Sequence, residues 1–263
     1  MKLTFFSLFI LLSTTALAQG NVDSSNYYIK KGREDSENGE HTKALKDFNK
    51  AVTFTPKNAE AYFGRGCAKL DLKDHKAAIW DFDKAIELNP YYADAYLERG
   101  TAIQESGDYK GAIDDFNKAI RLDPKFADAY YNRGNAKGAL GNYKSAVQDY
   151  TKAIELSPEV VDSYVNRGLA KYELKDYKGA IADCNTAIQM NSDIPESYII
   201  MGLAKTGLKK YREAIEDFGK AIELNPEFAD AYYNRAVAYE KVGNKYNAKE
   251  DYAKAQVLKN IGK

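Results

Sequence analysis

Two histidines, two cysteines and a large stock of carboxylates are the residues here that could do chemistry. His41 and His75 are the only imidazoles, so a histidine base or a His-ligated metal would have to use them. They stand 34 residues apart, in a position that Tyr109, Tyr143, Tyr177 and Tyr211 take over further along the chain. That pattern reads as an aromatic packing position. Cys184 falls in a column otherwise held by Phe48, Phe82, Phe116, Tyr150, Phe218 and Tyr252, and Cys67 lies on a different helix three steps away. Stacked layers would hold the two sulfurs well beyond the Cα separation of roughly 7 Å that a disulfide tolerates. The carboxylates are spread as on a solvated helix face, and the chain has neither a phosphate-cradling glycine loop nor a cluster at metal-ligand spacing. The expectation is a protein without catalytic residues, cofactor or metal.

One charged pattern is more regular. Arg65, Arg99, Arg133, Arg167 and Arg235 form a column, with Lys31 and Met201 in its other two slots. An aspartate column, Asp47, Asp81, Asp115, Asp149, Asp183, Asp217 and Asp251, accompanies it. A half-buried guanidinium needs an anionic partner. The expectation is therefore a row of structural ion pairs, within a repeating unit or to its neighbour. A row of anion-binding sites would not carry its own counter-charge at every step.

These columns exist because the sequence repeats. "DYKGAIDDFNKAIRLDPKFADAY" at 108–130 returns almost unchanged as "KYREAIEDFGKAIELNPEFADAY" at 210–232. Pro56, Pro90, Pro124, Pro158 and Pro226 recur every 34 residues, with Ser192 in the gap and Asn260 in the final slot. Tyr28 to Tyr232, Gly32 to Gly202 (then Ala236), Ala44 to Ala248 and Ala51 to Ala255 keep the same step. Seven units tile 25–58, 59–92, 93–126, 127–160, 161–194, 195–228 and 229–262. Inside a unit the spacing is helical: Ala112, Phe116, Ala119 and Ile120 share one face. Tyr96, Gly100 and Ile103 mark a preceding helix, and Asp108 stands as the N-cap between them. Each unit is two antiparallel helices of about 13 residues, roughly 20 Å long.

Small, aromatic, small, small and Pro in fixed order resemble the tetratricopeptide repeat, a 34-residue helix-turn-helix unit. The resemblance implies an all-α fold, an α-solenoid wound as a right-handed superhelix whose first helices line a concave groove. It puts Tyr131, Val165, Ile199 and Tyr233 in one groove column, Asn132, Asn166, Ile200 and Asn234 in the next, and Asn135, Leu169, Leu203 and Val237 a turn further on. With Tyr172, these are the candidate partner-binding residues. Asn132, Asn166 and Asn234 resemble the asparagine ladder of peptide-binding members, broken at Ile200. A clamp for acidic tails is disfavoured, because the corresponding helix starts carry Glu60, Asp94, Asp128, Asp162, Glu196 and Asp230.

The first residues pose a separate problem. "MKLTFFSLFILLSTTALAQG" has one basic residue, an apolar run from Leu3 to Leu12 and a small-residue exit at Ala16-Leu17-Ala18. That is the layout of a secretory signal peptide over 1–18, cleaved after Ala18 and followed by a short lead-in, 19–24. The chain has no net charge, 38 basic against 38 acidic residues, and loses only Lys2 with the signal. Nucleic acid is accordingly a poor partner, and the mature chain has no run long enough to span a membrane. The composite expectation is an exported scaffold, periplasmic or extracellular and monomeric alone. It would bind another protein or an extended peptide in its groove. The alternative is a permanent accessory subunit of an envelope or secretion assembly, held by its convex face or edges.

Overall fold

The computed structural model describes residues 3–261, with side chains from Gln19 to Asn260. The segment expected to be a signal peptide, 1–18, lies outside the residues whose side chains are described. The described chain is fourteen α-helices in tandem pairs, falling into two compact bodies, Met1–Pro124 and Lys125–Lys263. The first body holds α1 (Leu3–Glu37), α2 (His41–Phe54), α3 (Ala59–Asp71), α4 (His75–Leu88), α5 (Ala93–Glu105) and α6 (Tyr109–Leu122). The second holds α7 (Ala127–Ala139), α8 (Tyr143–Leu156), α9 (Val161–Glu173), α10 (Tyr177–Met190), α11 (Pro195–Gly207), α12 (Tyr211–Leu224), α13 (Ala229–Lys241) and α14 (Lys245–Ile261). Each odd helix packs on the even helix that follows it, and each even helix packs on the next odd one within its body. Residues 19–24 are a continuation of α1 rather than a separate lead-in, since nothing between Gln19 and Ser24 breaks the helix.

The turn inside each pair explains several columns at once. A residue with positive φ ends every odd helix: Gly39, Gly107, Gly141 and Gly243, but Lys73, Lys175 and Lys209 in the other three. At Lys73 the backbone N–H donates to Leu70 O and that of Asp74 to Lys69 O, the bond pair of a Schellman stop. Where the next residue is Asp, it at once caps the following helix. The Asp74, Asp108 and Asp176 carboxylates accept from the N–H groups of Ala77, Gly111 and Gly179. The first, fourth and sixth pairs have Glu40, Asn142 and Lys210 at this point and no side-chain cap.

The core is a stack of small and aromatic layers. The alanine columns are fully buried, and so are Phe48, Phe82, Phe116 and Phe218. Glycine lets each ring in: a Cβ at Gly134 would lie 2.7 Å from Tyr150 Cε1, where no real contact fits. The fifth pair differs. Cys184 replaces the ring, and Met201 of α11 packs into the resulting cluster with Val165 and Ile200. No proline stands at 260, and α14 runs on through that slot to Ile261, where the other even helices have stopped. Among the described residues no helix is long and apolar enough to cross a membrane.

Candidate functional site

The charged columns come first. Arg65 Nε lies 3.0 Å from Asp81 Oδ2, and its Nη2 donates to Oδ1 at 2.7 Å. The same fork joins Arg99 to Asp115, Arg133 to Asp149, Arg167 to Asp183 and Arg235 to Asp251, always across one helix pair. Lys69, Lys137 and Lys171 add a second cation to Asp81, Asp149 and Asp183. The remaining guanidinium nitrogen of Arg65 and of Arg167 reaches the previous pair, at Asn49 and Thr151. Each guanidinium also lies over a tyrosine, as Arg167 over Tyr164. These groups are fully engaged in holding helices together. In the sixth pair Met201 leaves Asp217 to Lys205 alone, at 2.7 and 3.0 Å. Burial there pushes the Asp217 carboxyl above its ordinary range, against the pull of Lys205.

The histidines are more than ring fillers. His41 Nδ1 lies 2.9 Å from Asp71 Oδ2, and His75 Nδ1 lies 3.1 Å from Glu105 Oε2, each carboxylate coming from the next odd helix. Each sets an imidazole beside a carboxylate of the next pair in the first body. Both cysteines are free thiols, and burial pushes each pKa up. Among the described residues no three His, Cys, Asp or Glu side chains lie close enough to hold a metal.

The open surface of interest is in the second body, where α7, α9, α11 and α13 lie side by side. Their alternate pairing with α8, α10 and α12 leaves one face of each turned outward. At its start four polar side chains interlock. Tyr150 donates to Asn135 Oδ1 at 2.8 Å, and Asn166 Nδ2 donates to the same oxygen and to Tyr131 Oη, both at 3.0 Å. Beside them is a cavity of about 290 Å³ walled by Tyr143, Leu169 and Glu173. Asn166 and Leu169 also border a second cavity of about 270 Å³ that continues to Glu196, Leu203, Phe228, Asp230 and Asn234. The two cavities adjoin along α9, one polar and aromatic, the other mainly apolar.

Three of the predicted groove anchors need correction. Val165, Ile199 and Ile200 keep only 7%, 9% and 5% of their surface and belong to the core. They form the floor of the second cavity and are not free anchors. Val165 and Ile200 pack with Cys184 and Met201, and Ile199 packs with Ala214, Phe218 and Ala231, as Ile29 and Leu97 of the same column are also buried. Leu169 (41% exposed) and the half-buried Leu203 remain accessible as apolar walls, and Tyr233 stands out at 47%. Tyr172 packs its ring on Tyr177, and neither it nor Val237 lines either of these two cavities. Tyr131 is half-buried and stacks toward Tyr150, and Asn132 is half-buried beside it. Asn234 turns its Nδ2 back onto Asp230 O, which removes that donor from the ladder.

Glu196, Phe228, Asp230, Tyr143 and Glu173 were not among the predicted site residues. Phe228 occupies the N-cap position of α13, where Tyr92, Phe126, Val160 and Ile194 recur, so its column was visible in the sequence. In the first body, the cavity between Asn26 and Glu60 is filled with charge instead, including the Arg33–Glu60 and Lys30–Glu34 pairs.

Comparison with known proteins agrees with this architecture. Family models described as TPR repeat match residues 32–73, 104–141 and 202–243. Models described as tetratricopeptide repeat match 59–92, 82–114, 127–160, 161–194 and 229–259. No curated protein sequence matches the chain. Among solved structures, YrrB, described as a TPR protein with an unusual peptide-binding site, is 29% identical. It aligns over 67% of this chain and 91% of its own, with a TM-score of 0.57. MamA is 25% identical over 62% of this chain and 95% of its own, also at 0.57. A tetratricopeptide repeat protein from Parabacteroides merdae aligns over 90% of this chain and 93% of its own, at 20% identity and a TM-score of 0.67, a likeness of fold alone.

Proposed function

The chain is a member of the tetratricopeptide repeat family, and from that premise we propose an exported, non-enzymatic scaffold that binds an extended segment of another protein along α9, α11 and α13. The observation that carries the reading is the pair of adjoining cavities around Asn166 and Leu169. An extended segment alternates its side chains, so it can sink one apolar residue between Leu169, Leu203 and Phe228 while a backbone N–H donates to Asn166 Oδ1, whose Nδ2 donors are already taken. Affinity then comes from one or two buried anchors, with polar contacts fixing register. Export rests on the layout of residues 1–18, with cleavage after Ala18 and release to the periplasm or the extracellular space. The scaffold is monomeric until its partner arrives.

The test is affinity capture from an envelope extract, using the chain from Gln19 beside a Leu169→Asp/Leu203→Asp variant of unchanged circular dichroism. A partner held by the first and lost by the second is expected. A partner kept equally by both refutes the groove. The mass of the exported protein checks the cleavage point independently.

A second reading has its own observation. At the end of the second body Val242, Tyr246 and Val257 are exposed, and Tyr246 and Val257 stand where the preceding pair has Arg212 and Glu223. That end suits a permanent neighbour in an envelope assembly. Capture abolished by Tyr246→Lys/Val257→Glu, and insensitive to the groove variant, would favour it.

A further inference from the structure

We infer that the segment accepted by this groove is basic as well as apolar: a Lys or Arg placed beside its apolar anchor. This rests on the reading that the groove takes a polypeptide. The cavity between α9, α11 and α13 has an apolar floor and walls, and its only charged lining residues are Glu196 and Asp230. Glu196 forms no ion pair among the described residues, and Glu173 is the only charged residue in the adjoining cavity. Taken alone the acids would be unremarkable, since carboxylates favour the first turn of a helix.

The chain itself supplies the second observation. Because α14 runs through the slot where a proline would have stopped it, Lys259 arrives at the start of α13. Its ammonium lies 3.2 Å from Asp230 Oδ1 and 5.3 Å from the centre of the exposed Tyr233 ring. A carboxylate and an aromatic face together make a cation seat, and a lysine of the protein already sits in it. Both partners are more than half exposed, so the contact is weak and displaceable. A ligand cation beside an apolar anchor in the Leu203–Phe228 cavity would compete with Lys259 for Asp230 and find Glu196 on the opposite rim.

The experiment selects a phage-displayed random peptide library on the chain from Gln19, on Leu203→Asp and on Asp230→Asn/Glu196→Gln. The leading peptide is then titrated by fluorescence anisotropy against wild type and Lys259→Gln. On wild type, Lys and Arg are expected to be enriched next to an apolar residue, and the acid-deficient variant should lose that enrichment while retaining apolar preference. Lys259→Gln should tighten the leading peptide, by up to about fivefold, the ceiling for one exposed ion pair, and added salt should erase the gain. Apolar peptides selected on wild type and lost on Leu203→Asp, but without basic enrichment, overturn the charge assignment and leave the groove standing. Selection that does not distinguish wild type from Leu203→Asp overturns the groove reading and this inference with it. Acidic enrichment, or a Lys259→Gln affinity equal to wild type, also overturns it.

Discussion

Replacing Lys205 by methionine should damage this protein far more than replacing Lys69, although both lysines make the same contact to a buried aspartate. Asp81 keeps the Arg65 fork when Lys69 is removed, with contacts of 2.7, 3.0 and 3.1 Å. The expected cost is about 1.5 kcal/mol, the low end for one hydrogen bond to a charged group, since Asp81 keeps its arginine. Asp217 has Met201 where that arginine would be, so Lys205→Met strands a buried carboxylate. Removing one partner of a buried pair costs about 3–5 kcal/mol. Lys205 is partly exposed, so some water would reach the carboxylate and the low end, about 3 kcal/mol at pH 7.5, is expected. The pH dependence follows from the sign of the shift. Burial already holds the folded Asp217 carboxyl above its ordinary range, and loss of the ammonium raises it further. The folded variant then binds a proton that the unfolded chain, with an ordinary aspartate near 3.9, does not. Stability lost at neutral pH returns as pH falls through the folded value, by up to about 1.4 kcal/mol per unit. Urea unfolding at pH 7.5 and 5.0 measures this, with circular dichroism reporting all helices. Trp80, the only tryptophan, reports α4. An early dichroism transition with Trp80 unmoved would locate the damage in the second body. Equal costs for the two variants, or a Lys205→Met penalty that does not shrink at pH 5.0, would refute the reasoning.

Other outcomes follow from particular contacts. Gly134→Ala places a Cβ 2.7 Å from the Tyr150 ring, whereas Gly168→Ala meets Cys184 Sγ at 3.2 Å. The first should lose about 1–2 kcal/mol and the second stay near neutral, since overpacking costs about 1–3 kcal/mol and leaving glycine in a helix regains about 1; thermal unfolding of both checks this. Lys175→Gly relieves a φ of 64° and should raise stability by about 1 kcal/mol, the strain of a left-handed residue being about 1–2 kcal/mol, read as a higher urea midpoint. The Cys184 thiol, pushed up to about 12 by burial, and Cys67, pushed further, should resist an aromatic disulfide reagent at pH 8 and react in full in guanidinium. A native thiol that reacts within seconds would contradict that burial.

The helix pairs were legible because each depends on local rules: a positive-φ stop, a cap and a small residue facing a ring, all repeated at one spacing. What the sequence hid depends on how far apart neighbouring helices settle. Val165 and Ile199 share their column with the buried Ile29 and Leu97 but also with the exposed Tyr233, and Ile200 shares its column with the half-buried Asn132, so burial is decided at each position by the neighbouring helices and not by the column. The histidine pairs were hidden for another reason. Asp71 and Glu105 stand 34 residues apart, as His41 and His75 do, but Glu37 and Glu173 in the same column face no histidine, so the spacing alone did not announce the pairs. Lys259 reaches Asp230 only because a helix failed to end, which a missing proline permits without requiring.

The arginine–aspartate fork has a consequence for ancestry. Both residues of each fork lie in the same 34-residue segment, sixteen positions apart. Copying or deleting a whole segment moves the two charges together and never strands either. The looser reach of the arginine to the preceding segment meets Asn49 in one place and Thr151 in another, a joint that accepts unlike neighbours. Segments built this way can be multiplied by unequal crossing-over without stranding a charge, which would leave near-copies such as 108–130 and 210–232 within one gene.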